Sequence, residues 1–214
     1  IQSCSDDSPT SNNNNNNSSL VTSLSGFVNN ITSTSRYMKA IVGEDTISYI
    51  AGTDSVSSDN IFNISLTNPP ISALKNLNTL FPSGGGLSDT TAKGNFLNIG
   101  AFNNNAGQID GSLVNSSVPP KSAVTTGDYL LFYMYCDRSV NVSGTQTSIF
   151  NSDTTVYNYS VTFETGYNKL KRIITKQRDN YTEFDIKNGG SESTNWYYIN
   201  LVENNGFNSL GVKK

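Results

Sequence analysis

The sequence contains no histidine. That removes the commonest general base, the Ser-His-Asp and Cys-His arrangements, and the side chain most often used to ligate a metal. Charge is also scarce: Lys, Arg, Asp and Glu make up 14% of the chain, against ~25% in ordinary soluble domains. So few charges exclude a coiled coil and a charge-rich disordered chain. The balance is acidic, −3, with an isoelectric point near 4.9. A nucleic-acid partner is not expected, because phosphate recognition needs a basic face. No run approaches the ~18 apolar residues of a membrane-spanning helix. Only two cysteines occur, Cys4 and Cys136. Cys4 precedes a polar segment that no core would hold, and Cys136 closes the apolar run Tyr129 to Cys136, so no disulfide between them is expected.

In place of charge the chain carries 30 Asn, 30 Ser and 21 Thr, 81 of its 214 residues. One part of this excess lies at Ser5 to Ser19, which includes six consecutive asparagines, Asn12 to Asn17. That run has almost nothing to bury and reads as a tether. The rest decorates a body of short strands, residues 20–214. Phe62, Ile64 and Leu66 alternate with polar residues ahead of Asn68-Pro69-Pro70, which must end a strand. Phe96 to Phe102 and Gln108 to Val114 flank Asn103 to Gly107, a hairpin loop. Tyr129 to Cys136 is apolar at every position, as a central strand covered on both faces would be. Tyr157, Tyr159, Val161 and Phe163 alternate cleanly. Glu164-Thr165-Gly166 then turns into Asn168 to Thr175, Tyr181 to Lys187 ends at Asn188-Gly189-Gly190, and Trp196 to Val202 closes the series. Only Ile71 to Leu80 has helical spacing, for about three turns. Pro82 to Gly94 reads as a long loop. The expected fold is all-β: an antiparallel sandwich, Ig-like or jelly-roll-like, with one short helix.

Four groups of residues invite a chemical reading. Glu183 and Asp185 are two apart on a strand and share a face. Paired carboxylates can hydrolyse glycosides, although alternation with Phe184 and Ile186 also describes a solvated strand face. Lys169, Lys171, Arg172, Lys176 and Arg178 form the one basic cluster, either a contact for anionic lipid headgroups or an acidic partner, or the protection of an edge strand. Trp196 and Tyr198 share a strand face and suit either a glycan platform or the core. Asp137, Asn141 and Asp153 carry calcium-type oxygens without a regular ligand spacing. No cofactor is indicated: Ser83-Gly84-Gly85-Gly86 lacks the Lys-Ser/Thr of a phosphate loop.

Ile1-Gln2-Ser3-Cys4 resembles the end of a bacterial lipoprotein signal peptide followed by the lipidated cysteine. Ser5-Asp6-Asp7 after it resembles the surface-export signal of lipoproteins of the Bacteroidota. Tyr133 to Arg138, Val142-Ser143-Gly144 and Tyr157 to Leu170 are similar, at the level of pattern, to small all-β outer-membrane lipoproteins of that group. The resemblance implies a signal-peptide remnant at residues 1–3 and acyl chains such as palmitate on Cys4. It also implies a protein held at the outer-membrane surface by those chains. It brings no catalytic residues. The expected role is a non-catalytic binding or accessory subunit beside an outer-membrane protein partner, with Trp196, Tyr198, Lys169, Lys171 and Arg172 as contact residues and a glycan as a further ligand. The alternatives are a carboxylate-dependent glycan hydrolase and an adhesive or structural surface module.

Overall fold

Between Tyr129 and Cys136 successive side chains enter two different apolar environments, and the architecture follows from that alternation. In the computed structural model, which describes residues 19–31, 36–44, 47–81, 85–103, 109–120 and 122–200, Tyr133 and Tyr135 join a core with Trp196, Phe62, Leu24 and Met38. Met134 and Cys136 join a second core with Phe163, Leu170, Val161 and Phe81. A strand buried on both faces has to be central, as the sequence indicates.

Strands hold 67% of the described residues. In chain order they are β1 (Leu20–Val21), β2 (Ser23–Asn29), β3 (Arg36–Glu44), β4 (Ile47–Ser55), β5 (Ile61–Ser65), β6 (Lys75–Asn76), β7 (Gly85–Leu87), β8 (Lys93–Asn103) and β9 (Ile109–Ser116). β10 (Tyr129–Cys136), β11 (Val140–Phe150), β12 (Asp153–Phe163), β13 (Gly166–Arg178), β14 (Tyr181–Asn188) and β15 (Asn195–Asn200) follow. All belong to one mixed sheet whose main path runs β5-β2-β15-β9-β8-β10-β13-β14-β12-β11-β7. The chain is therefore all-β, as expected.

Two details differ from the expected antiparallel sandwich. β12–β14 and β2–β15 are parallel. The hydrogen bonds also link the strands into one branched network, because the 11-residue β8 is long enough for two partners along each edge. Leu97 pairs with both Val42 and Tyr133, Ile99 with Ala40 and Leu113, and Gly94 with Lys75 and Cys136.

The Glu164–Gly166 turn forms as predicted, with Gly166 at φ 121°, a conformation open to glycine. The strands it joins do not pair, however. β13 folds back on β14, and β14 lies between β13 and β12. Asn168, 0% exposed, fastens the corner. Its Nδ2 donates to the carbonyls of Glu164 and Gly166 at 2.8 and 2.9 Å, and its Oδ1 accepts from the Glu164 N–H at 2.9 Å.

The three-turn helix is not formed. Ile71–Ala73 makes one 3-10 turn, Leu74 is extended, Lys75–Asn76 pairs with β8, and only Leu77–Leu80 (α1) is helical. Pairing and the full burial of Leu77 outweigh the helical spacing. The expected Pro82–Gly94 loop contains β7, paired with Val142–Gly144 of β11, and the first two residues of β8. Within the expected Asn103–Gly107 hairpin loop, residues 104–107 lie outside the described residues, but β8 and β9 pair antiparallel across it.

Candidate functional site

The described chain begins at Ser19, and that end of the sheet is closely tied. The Lys169 N–H donates to the Ser19 carbonyl at 2.6 Å, Asn188 Nδ2 donates to Ser19 Oγ at 3.1 Å, and Leu20–Val21 pairs with Asn168 and Tyr167. Cys4, Ser5, Asp6 and Asp7 lie outside the described residues.

Trp196 and Tyr198 are core residues, 7% and 8% exposed. Trp196 stacks on Tyr133 with ring centroids 6.1 Å apart, meets Phe62 edge-on at 5.2 Å, and donates from Nε1 to the Ser25 carbonyl at 3.1 Å. Gly26 passes directly beneath its indole, where a Cβ would meet the ring. Tyr198 lies under Arg36, whose guanidinium is 4.4 Å from the ring centroid and pairs with Asp110. The glycan platform expected of these two residues is therefore not present as an open face. Their spacing served the core, because β15 lies between β2 and β9 with apolar strands over it.

The basic cluster divides along β13, and β13 is an interior strand between β10 and β14. Protection of an edge is thus not the role of Lys169, Lys171 and Arg172, whereas Lys176 and Arg178 lie beyond Ile173, where β13 pairs with β14 alone among the described residues. Lys169 and Lys171 point to one face and hold residues 189–194, the crossover from β14 to β15. Lys169 Nζ donates to the Gly190 carbonyl, Lys171 Nζ is 3.7 Å from Glu192 Oε1, and Glu192 Oε2 accepts the Gly190 N–H at 2.7 Å. Lys171 also lies 4.2 Å over the Tyr129 ring, whose hydroxyl donates to the Ser193 carbonyl at 2.8 Å. These two lysines act as fasteners inside the chain. Arg172 points to the opposite face, 5.1 Å from the Phe184 ring centroid. Burial draws its pKa down from the ordinary arginine value, while the neighbouring Tyr157 and Tyr159 oppose that shift.

Glu183 and Asp185 do share a face, and Asn158 on β12 gathers them. Its Nδ2 donates to Glu183 Oε1 at 2.9 Å and to Asp185 Oδ1 at 3.3 Å. The Tyr181 hydroxyl donates to Glu183 Oε2 at 2.9 Å. These bonds, Tyr181's first, hold the Glu183 carboxyl below the ordinary range. A carboxylate stabilised in this way is poorly suited to be the proton donor that glycoside cleavage needs. Of the calcium-type residues, Asp137 is engaged by the Lys93 N–H and Arg138, and Asn141 is paired with Ser88 through its backbone N–H and carbonyl. Asp153 sits at the opposite end of the β11–β12 hairpin. Cys136 is fully buried and donates from Sγ to the Arg138 carbonyl at 3.1 Å, and burial pushes its pKa up.

The least expected feature is at the end of the sheet away from Ser19. β11 and β12 pair from Val140↔Phe163 to Phe150↔Asp153 and are joined by Asn151-Ser152 at φ 47° and 71°. Positive φ at both positions is the two-residue turn that matches strand twist. The adjacent β13–β14 turn touches it through the Thr154 N–H, which donates to the Asn180 carbonyl at 2.8 Å. At the tip, Ile149 is 72% and Phe150 52% exposed. β7 covers the outer edge of β11 only at Val142–Gly144, so among the described residues Thr145 to Phe150 pair with β12 alone. The sequence held a signal for this: two adjacent large apolar residues in a polar strand, directly before Asn-Ser-Asp. The arrangement offers an apolar point and an open strand edge, which suits contact with another macromolecule.

No family model matches the chain, and no curated protein or solved structure matches it.

Proposed function

We propose that this is a non-catalytic, lipid-anchored surface protein that presents the β11–β12 tip to a protein partner at the outer membrane. The observation that carries the reading is the placement of the two ends. The polar segment of residues 5–19 joins the sheet where β13 begins, beside Asn168 and Asn188. The exposed Ile149–Phe150 pair lies where β13 ends, at Arg178, nine residues beyond the Lys169 that binds Ser19. At ~3.3 Å per residue that separation is roughly 30 Å. A chain held by acyl chains on Cys4 carries the exposed Ile149–Phe150 tip at the far end from its attachment. The tip also lacks a basic excess, since Asp153 and Asp179 accompany Arg178, so an anionic lipid surface is a poor match for it.

The test is affinity isolation from detergent-solubilised outer membranes with the wild-type chain and with an Ile149→Ser/Phe150→Ser variant. An outer-membrane protein recovered with the wild type and lost with the variant supports the reading. Equal recovery with both removes the tip from it. Fractionation of Cys4→Ser tests the anchor separately: the variant leaves the membrane fraction and takes up no labelled palmitate if Cys4 carries the acyl chains.

A further inference from the structure

We infer that the outer edge of β11, residues 145–150, pairs antiparallel with the same edge of a second copy of this chain. The inference rests on reading the far end as a contact surface and names what occupies its strand edge.

Backbone direction supports it first. Ser88 takes both the N–H and the carbonyl of Asn141 from the β7 side. Alternation therefore turns the N–H and carbonyl groups of odd-numbered β11 residues outward and those of even-numbered residues toward β12. Among the described residues, Thr145, Thr147 and Ile149 have no strand partner for these outward groups beyond the end of β7.

The second support is what this edge lacks. Thr145-Gln146-Thr147-Ser148-Ile149-Phe150 has no charge and no proline, and its pairing with β12 shows no register shift. Those are the devices that keep edge strands apart. The edges of β5 and β4 are blunted by contrast. On β5, the Asp54 carboxylate accepts the Asn63 N–H at 2.6 Å and Ser57 Oγ accepts the Ile61 N–H at 3.2 Å. On β4, the Ala51 carbonyl accepts from both the N–H and the Oγ1 of Thr67 at 2.8 Å.

The third support is that the segment is complementary to itself. A two-fold axis through Ser148 places Ser148 opposite Ser148, Thr147 opposite Ile149, and Gln146 opposite Phe150. The outward groups of Thr147 and Ile149 then meet in hydrogen-bonded pairs, four bonds in all. The partner's Asn151 falls opposite Thr145, where its chain turns away, so β7 at Val142–Gly144 is not displaced. No charged residue enters the contact, which suits two copies of an acidic chain.

The register gives a direct test. Ser148 would form a non-hydrogen-bonded pair with itself, at a Cα separation of ~4.5 Å, within disulfide reach. Two copies of Gln146 would stand roughly 13 Å apart, beyond it. In full-length chains carrying Cys4→Ser, Ser148→Cys is expected to oxidise to a covalent dimer and Gln146→Cys is not. Thr147→Pro removes an outward N–H and leaves the bonds to β12 intact. It should weaken concentration-dependent dimerisation of the unoxidised chain, followed by sedimentation, by about tenfold or more in Kd. Ser148→Cys oxidising no faster than Gln146→Cys, or a wild-type chain that sediments as a monomer at the highest concentrations reached, overturns the inference. If self-pairing fails while the Ile149→Ser/Phe150→Ser variant still loses its outer-membrane partner, only the identity of the second strand is wrong. If both fail, the far end is not a contact surface.

Discussion

The two ends of strands β11–β14 invert the usual distribution of polar and apolar residues. At the end next to Ser19, asparagine is inside. Asn168 is 0% exposed and makes three hydrogen bonds, and Asn188 makes three more, to Thr162 N–H and carbonyl at 2.8 Å each and to Ser19 Oγ. At the end with the β11–β12 turn, Ile149 and Phe150 are outside. The first end is consistent with fastening, because a buried amide is retained when every hydrogen bond is met. The second contributes little to the fold, since exposed apolar area stabilises nothing in the isolated chain. The difference separates residues kept for structure from residues available for contact, and it does so where residue type alone points the wrong way.

Substitutions at each end sharpen that contrast. Asn168→Ala leaves the Glu164 N–H and the Glu164 and Gly166 carbonyls without their partner, and should cost about 3 kcal/mol in chemical denaturation. At the other end, Ser152→Gly should raise stability by about 0.5–1 kcal/mol, because serine at φ 71° occupies a conformation that glycine adopts freely. An acid titration gives a smaller effect. The folded chain holds the Glu183 pKa below its ordinary value through Tyr181 and then Asn158. The stability this adds is present above the ordinary carboxyl pKa and is lost as pH falls through the folded value. Glu183→Gln should therefore lower Tm at pH 7, and the loss should shrink as pH falls through the folded value. A loss that stays the same at every pH would show that the carboxylate is not what matters. The smallest effect is expected of Ile149→Ser/Phe150→Ser, within about 0.5 kcal/mol of wild type. A loss of several kcal/mol would make the tip structural and erase the comparison.

Much of the fold was readable because alternation marks half-buried strands plainly. β5, β8, β10, β12, β14 and β15 fall within a few residues of the runs that predict them. β10 announced its double burial through eight successive apolar residues. β3 was overlooked, although Met38, Ala40 and Val42 alternate into the first core. Connectivity was less readable. Nothing local in Tyr157 to Leu170 says that β14 will lie between the two strands of that stretch, since the pairing depends on residues 20 positions further on. The roles of Lys169 and Lys171 are hidden for a similar reason. Lys169 and Lys171 look like surface charges until the chain at Gly190 and Glu192 returns across them. Trp196 and Tyr198 look equally suited to a ligand or a core, and only the placement of β15 between β2 and β9 decides it. The exposure of the far tip is not legible in the sequence, because nothing local to Ile149 and Phe150 says that the turn leaves them uncovered.

The central claim, that the β11 edge beyond Gly144 is open in the single chain and closes on contact, is most directly tested by residue-resolved amide hydrogen exchange across a dilution series. In dilute solution the outward amides of Thr145, Thr147 and Ile149 should exchange quickly, while those of Gln146, Ser148 and Phe150, bonded to β12, exchange slowly. At high concentration Thr147 and Ile149 should become protected. Equal, concentration-independent protection of all six amides, or equally fast exchange of all six, would contradict the account.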